Sequence, residues 1–230
     1  MRSEPPPPDG RRVNPIILAS ASPRRRDLLS LLGIPFDVIT SNVHDDSPGP
    51  DFVLWPPIRN PSRLARRLAA AKAHDVAQSW PQATVIGGDT VVVKGVIQRK
   101  PLDPLEAKGM LMGLRAHTHR VMTAIAVLSP QRRMPFVSHT VTVVQMRNYS
   151  EGEIDAYIAR GDPFDKAGGY AIQDELFHPV ESYDGCYCNV VGLPLWSTIE
   201  LLRKSSIDIT PHLDRLLPQC STCPLRPDTR

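Results

Sequence analysis

The chain has 230 residues, of which 41% are hydrophobic and 22% charged, and its formal net charge is +3 at pH 7. This composition is typical of a globular protein with one large or two small domains, and the charge is too small to predict a nucleic-acid partner. No apolar run approaches the ~20 residues that span a bilayer. The N-terminal segment MRSEPPPPDGRR lacks the apolar stretch of a signal peptide. We therefore expect a cytoplasmic protein with no membrane partner.

The spacing of apolar residues predicts helices and strands that alternate along most of the chain. In chain order we predict a strand at 15–18, a helix at 27–32, a strand at 34–40, a proline-rich loop at 46–61, a helix at 62–80, a strand at 83–95, a helix at 103–114, strands at 119–128 and 136–147, a helix at 151–160, a turn into a strand at 165–173 and a turn into a helix at 189–205. Because some strands are adjacent and others are separated by helices, the sequence predicts an α/β fold. Its sheet should be mixed and twisted, with flanking helices.

Several residues mark the starts of helices and an interruption of a strand. Ser62 and Asp103 are N-cap residue types, and Ser150 begins a capping box with Glu153. Two consecutive glycines, Gly87-Gly88, are expected to interrupt the strand at 83–95. We predict a flexible proline-rich segment at 1–14, a folded domain at 15–208 and a C-terminal tail at 209–230. Deletion of residues 211–230 is expected to change stability and turnover little, because the composition of that segment does not support a core.

The segment LASASPRRRDLL predicts an anion site between the first strand and the first helix. Small residues let the backbone approach a ligand, and the N–H groups at a helix N-terminus point toward it. Ser20 and Ser22 add hydroxyl donors, and Arg24 to Arg26 add forked cations that suit phosphate. Cations at a helix N-terminus are unfavourable by about 0.3–1 kcal/mol each. The arginines therefore indicate an anionic ligand, most plausibly a polyphosphate, rather than an ordinary solvated helix turn.

A single acidic residue, Asp89, stands in the apolar strand VIGGDTVVV. A carboxylate there is either buried and paired or exposed at a cleft. Because an unpaired buried carboxylate costs several kcal/mol, a position at a cleft is expected, where it could hold Mg²⁺ or orient water. An aspartate in a β-bulge is the alternative. Lys100 and Lys166 follow as further phosphate-binding candidates, and Gln173 could read a base edge. The histidines show no metal-ligand spacing and are interpreted as structural.

The cysteines form two close pairs, Cys186 with Cys188 and Cys220 with Cys223. A zinc site would have to combine both pairs, but C-x-C and C-x-x-C about thirty residues apart is not a standard zinc spacing. The interpretation favoured by sequence is therefore reduced thiols, with one pair in the fold and the other in the tail.

Taken together, six segments resemble the motifs of Maf-like proteins and occur in the same order. They are LASASPRRRDLL, IGGDTVVV, KPLD, THRVMTAIAVL, DKAGGYAIQ and NVVGLPL, within residues 16–202. The resemblance implies an enzyme with an inosine-triphosphatase-like fold, in which two lobes flank a nucleotide cleft. It also implies a nucleoside triphosphate pyrophosphatase that needs Mg²⁺ or Mn²⁺ and cleaves between the α- and β-phosphates.

The resemblance also implies roles for individual residues. Asp89 would take the proton from water, and Asp45 together with Asp89 would bind the metal. Three residues, Arg24, Thr90 and Gln173, would set base preference, in the combination found in the branch that acts on dTTP and UTP. The expected phosphate-binding residues are Ser20, Ser22, Arg25, Lys72, Lys100 and Lys166.

Other functions remain open at this point. Within the family, the enzyme could prefer modified pyrimidine triphosphates or 7-methyl-GTP, although the tryptophan and Asp-containing motif of the latter branch are missing. A regulator of cell division that binds nucleotides without turnover is a different class, and the presence of Asp89 argues against it. A homodimer is one expected state of assembly, although the sequence determines neither the oligomeric state nor the physiological substrate.

Overall fold

A computed structural model describes residues 14–43 and 60–227. The strands are β1 Ile16–Ala19, β2 Asp37–Val38, β3 Thr84–Lys94, β4 Val96–Gln98, β5 Thr118–Leu128, β6 Phe136–Met146 and β7 Val180–Asp184. The α-helices are α1 Pro23–Ser30, α2 Pro61–Ser79, α3 Pro104–Leu114, α4 Glu151–Ala159, α5 Tyr187–Val191 and α6 Leu195–Lys204. Short 3-10 turns lie at Asp162–Asp165, Ala167–Gly169, Leu213–Arg215 and Pro218–Cys220.

The described strands form one mixed sheet in the order β2-β1-β3-β5-β6-β7, with β4 folded back onto β3. β1 runs parallel to β2 and to β3, whereas β3, β5, β6 and β7 pair antiparallel in succession. The prediction of an α/β fold with a mixed sheet is confirmed.

Helices cover both faces of the sheet, as the alternation of side chains along β1 shows. Ile16 and Leu18 pack with α1 and α6, and Ile17 and Ala19 pack against α2 on the opposite face. A third cluster lies at the other end of the sheet and includes Leu111 of α3 and Ile154 of α4. The apolar strand segments are therefore continuous in sequence because both faces of the sheet are buried.

β3 continues through its two glycines, so the predicted interruption is wrong. Gly87 and Gly88 pair in unbroken register with Ala126 and Ile125 of β5, and the alternative of a β-bulge at Asp89 is wrong too. A Cβ on Gly87 would lie only 2.2 Å from the carbonyl oxygen of Ala69 in α2. Glycine is required there because α2 packs directly on the backbone of β3.

The predicted caps are confirmed at two helices and wrong at a third. Asp103 caps α3, and Ser150 with Glu153 forms the capping box of α4. α2 begins at Pro61 with Asn60 as its N-cap, so Ser62 already lies within the helix. Asn accepts the N-terminal backbone hydrogen bond as well as Ser does, and proline suits the first helical position. α1 also begins earlier than predicted, at Pro23, with Ser22 as its N-cap.

The strand predicted within 165–173 is also wrong. This segment contains a 3-10 turn at Ala167–Gly169, in which Gly168 and Gly169 both have φ of +73°. That conformation cannot continue a β-strand. The strand of this region lies further on, at Val180–Asp184, which sequence analysis did not predict.

The C-terminal tail is packed into the core, contrary to expectation. Ile209, Leu216 and Cys220 are buried in the same cluster as Trp196 of α6, whose indole Nε1 donates to the carbonyl oxygen of Cys220 at 3.1 Å. Scattered apolar residues in a proline-rich segment thus suffice to dock it on an existing core.

Two further predictions concern segments of the chain and membrane insertion. The loop at 46–61 falls, apart from its last two residues, outside the described residues. In the described segments, no helix is long and apolar enough to cross a membrane.

Candidate active site

A cleft of about 620 Å³ lies beside the carboxyl end of β1. It is lined by ten predicted site residues, namely Ser20, Ser22, Arg24, Arg25, Lys72, Asp89, Thr90, Lys100, Lys166 and Gln173. The remaining candidate, Asp45, lies outside the described residues. Residues from distant parts of the sequence thus converge on one cavity.

The first helix directs its N-terminus into this cleft. The Ser22 hydroxyl caps α1 by accepting from the backbone N–H of Arg25 at 3.5 Å, and the backbone N–H of Ser22 donates to the hydroxyl of Ser20 at 3.2 Å. The first-turn arginines diverge from there: Arg24 and Arg25 line the cleft, whereas Arg26 pairs with Asp27 at 3.1 Å. Only part of the predicted arginine cluster therefore serves the anion site.

Arg25 connects three parts of the cleft wall. Its Nη1 donates to Ser20 Oγ at 3.3 Å, its Nη2 to Thr90 Oγ1 at 3.0 Å, and its Nε to the carbonyl oxygen of Gly192 at 2.9 Å. A Cβ on Gly88 would lie 3.2 Å from Arg25 Nε, so the second glycine of β3 leaves room for the guanidinium group. The geometry fixes a cation at the base of the cleft.

Asp89 and Lys72 form a buried ion pair. The distance from Lys72 Nζ to Asp89 Oδ1 is 2.8 Å, and the residues are 8% and 3% exposed. Gly87 lets α2 pack closely on β3, and this close packing brings Lys72 of α2 beside Asp89 of β3. A buried carboxylate stays ionised when a cation compensates for its desolvation. The pair therefore places a carboxylate, compensated by its own cation, at the wall of a cleft that further arginines and lysines also line.

A second acidic residue, which sequence analysis missed, connects two predicted phosphate-binding cations. Asp165 Oδ2 accepts from Arg24 Nη1 at 2.6 Å, and Asp165 Oδ1 accepts from Lys166 Nζ at 2.6 Å. Partial burial raises the pKa of Asp165, but the hydrogen bonds from Lys166 and Arg24 outweigh it, so the net pKa lies below the usual value. Its position next to Lys166 in the FDKAG segment was the available sequence signal.

Thr90 is held by a polar chain that begins in the core. Its hydroxyl lies 2.9 Å from that of Thr123, whose hydroxyl donates to the backbone carbonyl of Asn189 at 2.7 Å. The Asn189 side chain accepts from the backbone N–H of Thr123 at 2.9 Å. These supporting residues are buried and were not singled out, because a threonine in a strand and an asparagine in an apolar segment carry no distinctive pattern.

A buried histidine supports the same wall of the cleft. His119 Nε2 lies 2.6 Å from the hydroxyl of Tyr170, a cleft-lining residue. Burial lowers the pKa of His119 to about 4, with a smaller contribution from the charge of Lys94. The imidazole is therefore neutral near pH 7, which agrees with the interpretation of this histidine as structural.

The residues present suit a hard divalent cation that is shared with a phosphate ligand. Mg²⁺ is commonly bound by one or two carboxylates together with substrate phosphates, and Asp89 supplies a carboxylate on the cleft wall. Within residues 14–43 and 60–227, no three His, Cys, Asp or Glu side chains are arranged, as they stand, to hold an ion. Most of the ligands would thus come from the substrate.

The fold and the cleft define a class of α/β proteins in which a helix N-terminus and several lysines and arginines border one cleft. Within that class the comparison with known families is specific. The family model for Maf-like proteins matches residues 15–205, and the chain belongs to this family.

Proteins of three bacteria illustrate the similarity. One from Thermomicrobium roseum, named dTTP/UTP pyrophosphatase, is 50% identical over 92% of this chain and 94% of its own length. Proteins of the same name from Pelotomaculum thermopropionicum and Dictyoglomus thermophilum are 40% and 41% identical over 84% and 82% of this chain, covering 98% and 95% of their own lengths. The similarity therefore extends over nearly whole chains.

Proposed function

We propose that this protein is a nucleoside triphosphate pyrophosphatase that hydrolyses dTTP and UTP to the monophosphate and pyrophosphate. The observation that carries the proposal is the buried Asp89–Lys72 pair in a cleft that is also lined by Arg24, Arg25, Lys100 and Lys166. The names of the similar proteins support the substrate assignment. A carboxylate beside a phosphate-binding surface is suited to accept a proton from water rather than to bind the anion itself.

In the proposed reaction, the triphosphate is held by the N-terminus of α1 and by Arg24 and Arg25. A water molecule attacks the α-phosphorus as Asp89 accepts its proton, and the bond from that phosphorus to the bridging oxygen of the β-phosphate breaks. The pair of electrons leaves with pyrophosphate. Positively charged side chains stabilise the developing charge on the leaving group, so positioning and electrostatics supply most of the rate acceleration.

The lysines have distinct positions in this scheme. Lys72 fixes the Asp89 carboxylate through the 2.8 Å contact, whereas Lys100 and Lys166 line the cleft and would neutralise the leaving group. Asp165 holds Lys166 and Arg24 together before substrate binds. We infer that triphosphate oxygens compete with Asp165 for these cations.

A divalent cation, Mg²⁺ or Mn²⁺, would supply additional charge neutralisation of the phosphates. Asp89 is the described residue that would hold it, with Asp45 as the second proposed ligand. The contact of Lys72 Nζ with Asp89 Oδ1 at 2.8 Å holds this carboxylate at the cleft wall.

Base preference is proposed to depend on Gln173 at the cleft and on Arg24. Uracil and thymine present two carbonyl acceptors and one N–H donor, which a carboxamide can match with its own donor and acceptor. Thr90 is less suited to read a base directly, because its hydroxyl already accepts from Arg25 and contacts Thr123. We propose that Thr90 acts on preference through the position of Arg25.

The direct test is to identify the products of UTP hydrolysis in the presence of Mg²⁺ or Mn²⁺. We expect UMP and pyrophosphate in equal amounts. Release of orthophosphate and UDP would contradict cleavage between the α- and β-phosphates. In water enriched in oxygen-18, the heavy atom should appear in UMP, because attack occurs at the α-phosphorus; label in pyrophosphate would contradict that site of attack.

The other predictions keep the status of proposals. Modified pyrimidine triphosphates are compatible with the same base contacts, whereas the names of the similar proteins favour neither 7-methyl-GTP nor a regulator without turnover. A cytoplasmic location and a homodimer stay predictions.

A further inference from the structure

All four cysteines of the chain come together at one buried place away from the cleft. Cys186 and Cys188 lie at the start of α5, and Cys220 and Cys223 lie in the C-terminal tail. All are buried, with exposures between 2% and 8%, and all belong to the core cluster that also contains Trp196. Two cysteine pairs that are about thirty residues apart in sequence thus form one cluster of thiols.

The two cysteine pairs meet at one sulfur–sulfur contact. Cys188 Sγ of the body lies 3.5 Å from Cys220 Sγ of the tail. In a tetrahedral site with metal–sulfur bonds of about 2.3 Å, neighbouring sulfurs lie roughly 3.8 Å apart. The contact between the body and the tail therefore has the spacing of thiolates that share an ion, and it is too long for a disulfide bond.

Burial of a cysteine as a small apolar residue explains the low exposure of each side chain taken alone. It does not explain why both pairs, about thirty residues apart in sequence, are buried in one cluster with sulfurs of the two pairs in contact.

We propose that Cys186, Cys188, Cys220 and Cys223 bind a structural Zn²⁺ ion that fastens the C-terminal tail to the domain. Four thiolates form a closed tetrahedral set, and soft sulfur ligands select zinc over the hard cations proposed for the cleft. On binding, the four thiols lose their protons to solvent and each sulfur donates an electron pair to the ion.

Binding an ion requires the cysteine side chains to adjust. As they stand, Cys188 and Cys220 are in contact, and no three of the described His, Cys, Asp or Glu side chains surround a common point closely enough to hold an ion. Rotation about a Cα–Cβ bond moves a sulfur without displacing the backbone, and all four cysteines belong to one buried cluster. The unusual C-x-C spacing can serve one site because Cys186 directly precedes α5 and Cys188 lies in the first turn of that helix.

This position links the tail to the cleft through a short helix. Val190 and Val191 of α5 line the cleft, and the carbonyl of Gly192, which follows α5, accepts from Arg25 Nε at 2.9 Å. An ion bound at the start of α5 would therefore stabilise the segment that holds Arg25. The site is structural and takes no part in the proposed reaction, so it can be tested independently of any activity.

The first test is the metal content of the full-length protein, purified without a polyhistidine tag or chelator. We expect stoichiometric zinc by elemental analysis, and its complete release, detected with a metallochromic indicator, when a mercurial reagent titrates the four thiols. Zinc-free protein with four reactive thiols, intramolecular disulfides by mass spectrometry, or stoichiometric iron would each overturn the proposal.

Variants at the tail provide the second test. Cys223→Ser should lower zinc affinity at least ~100-fold, since loss of a ligand exceeds the effect of losing a supporting contact, whereas Cys223→His should retain zinc as a Cys₃His site. Thr222→Ala, an exposed change within the same C-x-x-C segment, is the matched control and should keep full zinc content.

Cobalt substitution tests the site even if the Cys223→Ser variant does not fold. Wild-type protein refolded with Co²⁺ should show the thiolate-to-cobalt charge-transfer absorption of a tetrahedral site, and Cys223→His should show the same band at lower intensity. A cobalt spectrum without thiolate charge transfer, or equal zinc affinity of the Ser and His variants, would contradict a four-cysteine site.

Discussion

Asp89 is the residue on which the proposed chemistry depends most. The sequence pattern alone predicted its exceptional character, because one carboxylate in an apolar strand requires compensation. Its partner Lys72 could not be paired with it from the pattern, since Lys72 lies on a helix whose approach to the sheet depends on Gly87. The resemblance to Maf-like proteins pointed to both residues, and only the structure brings them within 2.8 Å.

Asp89→Asn is expected to lower kcat for UTP at least ~100-fold, the scale of a lost general base. The variant should also lose about 3 kcal/mol of stability, because Lys72 remains buried without its carboxylate. Replacement of the pair by Lys72→Met with Asp89→Asn should restore stability but not kcat. Steady-state rates and urea unfolding of both variants separate the two effects, and near-normal kcat in Asp89→Asn would exclude it as the proton acceptor.

Gln173→Ala is expected to slow UTP and dTTP more than GTP. A buried base edge left unpaired costs about 1–3 kcal/mol, so kcat/KM for the pyrimidine substrates should fall by roughly 5- to 100-fold. Gln131→Ala, in an exposed turn, serves as the control. If Gln173→Ala lowers kcat/KM equally for UTP, dTTP and GTP, the residue does not read the base.

His119 should give the protein a defined sensitivity to acid. Its pKa is about 4 in the folded chain, against an ordinary 6.5, so the unfolded chain binds more protons between these values. Stability is therefore full above about pH 6.5 and falls as the pH approaches 4, by about 2 kcal/mol at pH 5.

Urea unfolding at about pH 7 and pH 5 measures this loss. His119→Gln should remove most of the contribution, whereas the exposed His139→Gln should leave it intact. An identical pH dependence in wild type and His119→Gln would show that His119 does not carry it.

At the scale of elements, the close packing of α2 on β3 positions the Asp89–Lys72 pair. The helix and the strand were both predicted, because their apolar spacing and length are distinct. Their contact was not, since the two glycines were read as an interruption of the strand. The local sequence pattern does not distinguish a glycine that interrupts a strand from a glycine that allows a neighbouring helix to pack closely on the strand.

Gly87→Ala should disrupt this contact. The added Cβ would lie 2.2 Å from Ala69 O and 2.8 Å from Ala73 N, so the helix must shift, with a loss of at least about 1–3 kcal/mol and of activity. Gly109→Ala in α3, where a Cβ meets nothing within 4 Å, should instead stabilise by roughly 0.5–1 kcal/mol. Thermal unfolding of the two variants is the comparison, and equal stability of Gly87→Ala and wild type would contradict the packing.

The error at 165–173 has a similar origin. KAGGYAIQ has the apolar character of a strand, but Gly168 and Gly169 adopt positive φ and turn the chain along the cleft. The backbone conformation of consecutive glycines depends on tertiary contacts, here on Val92, which lies 3.0 Å from the position of a Cβ on Gly168. The sequence therefore identified the functional candidates in this segment but not its backbone conformation.

At the scale of the whole molecule, the type of sheet was predicted correctly from the sequence, whereas the placement of the C-terminal tail was not. Alternating helices and adjacent strands correctly indicated a mixed α/β sheet. The tail was misjudged because its composition is that of a segment without a core of its own. It adds instead to a core that α6 and β1 have already formed.

Deletion of residues 209–230 is now expected to destabilise the protein. It removes the buried side chains of Ile209, Leu216, Cys220 and Cys223 and exposes Trp196, at a cost of several kcal/mol at about 1.5–3 kcal/mol per large apolar side chain. Thermal unfolding of the truncated chain tests this. Unchanged stability would restore the interpretation of the tail as an appendage.

The central claim is tested most directly by the relative kcat/KM for pyrophosphate release from UTP, dTTP, CTP and GTP by the wild-type protein. A base site that discriminates by at least one buried hydrogen bond predicts that UTP and dTTP exceed GTP by at least ~10-fold. Equal efficiency with GTP, or no pyrophosphate from any of the four with Mg²⁺ or Mn²⁺ present, would contradict the account.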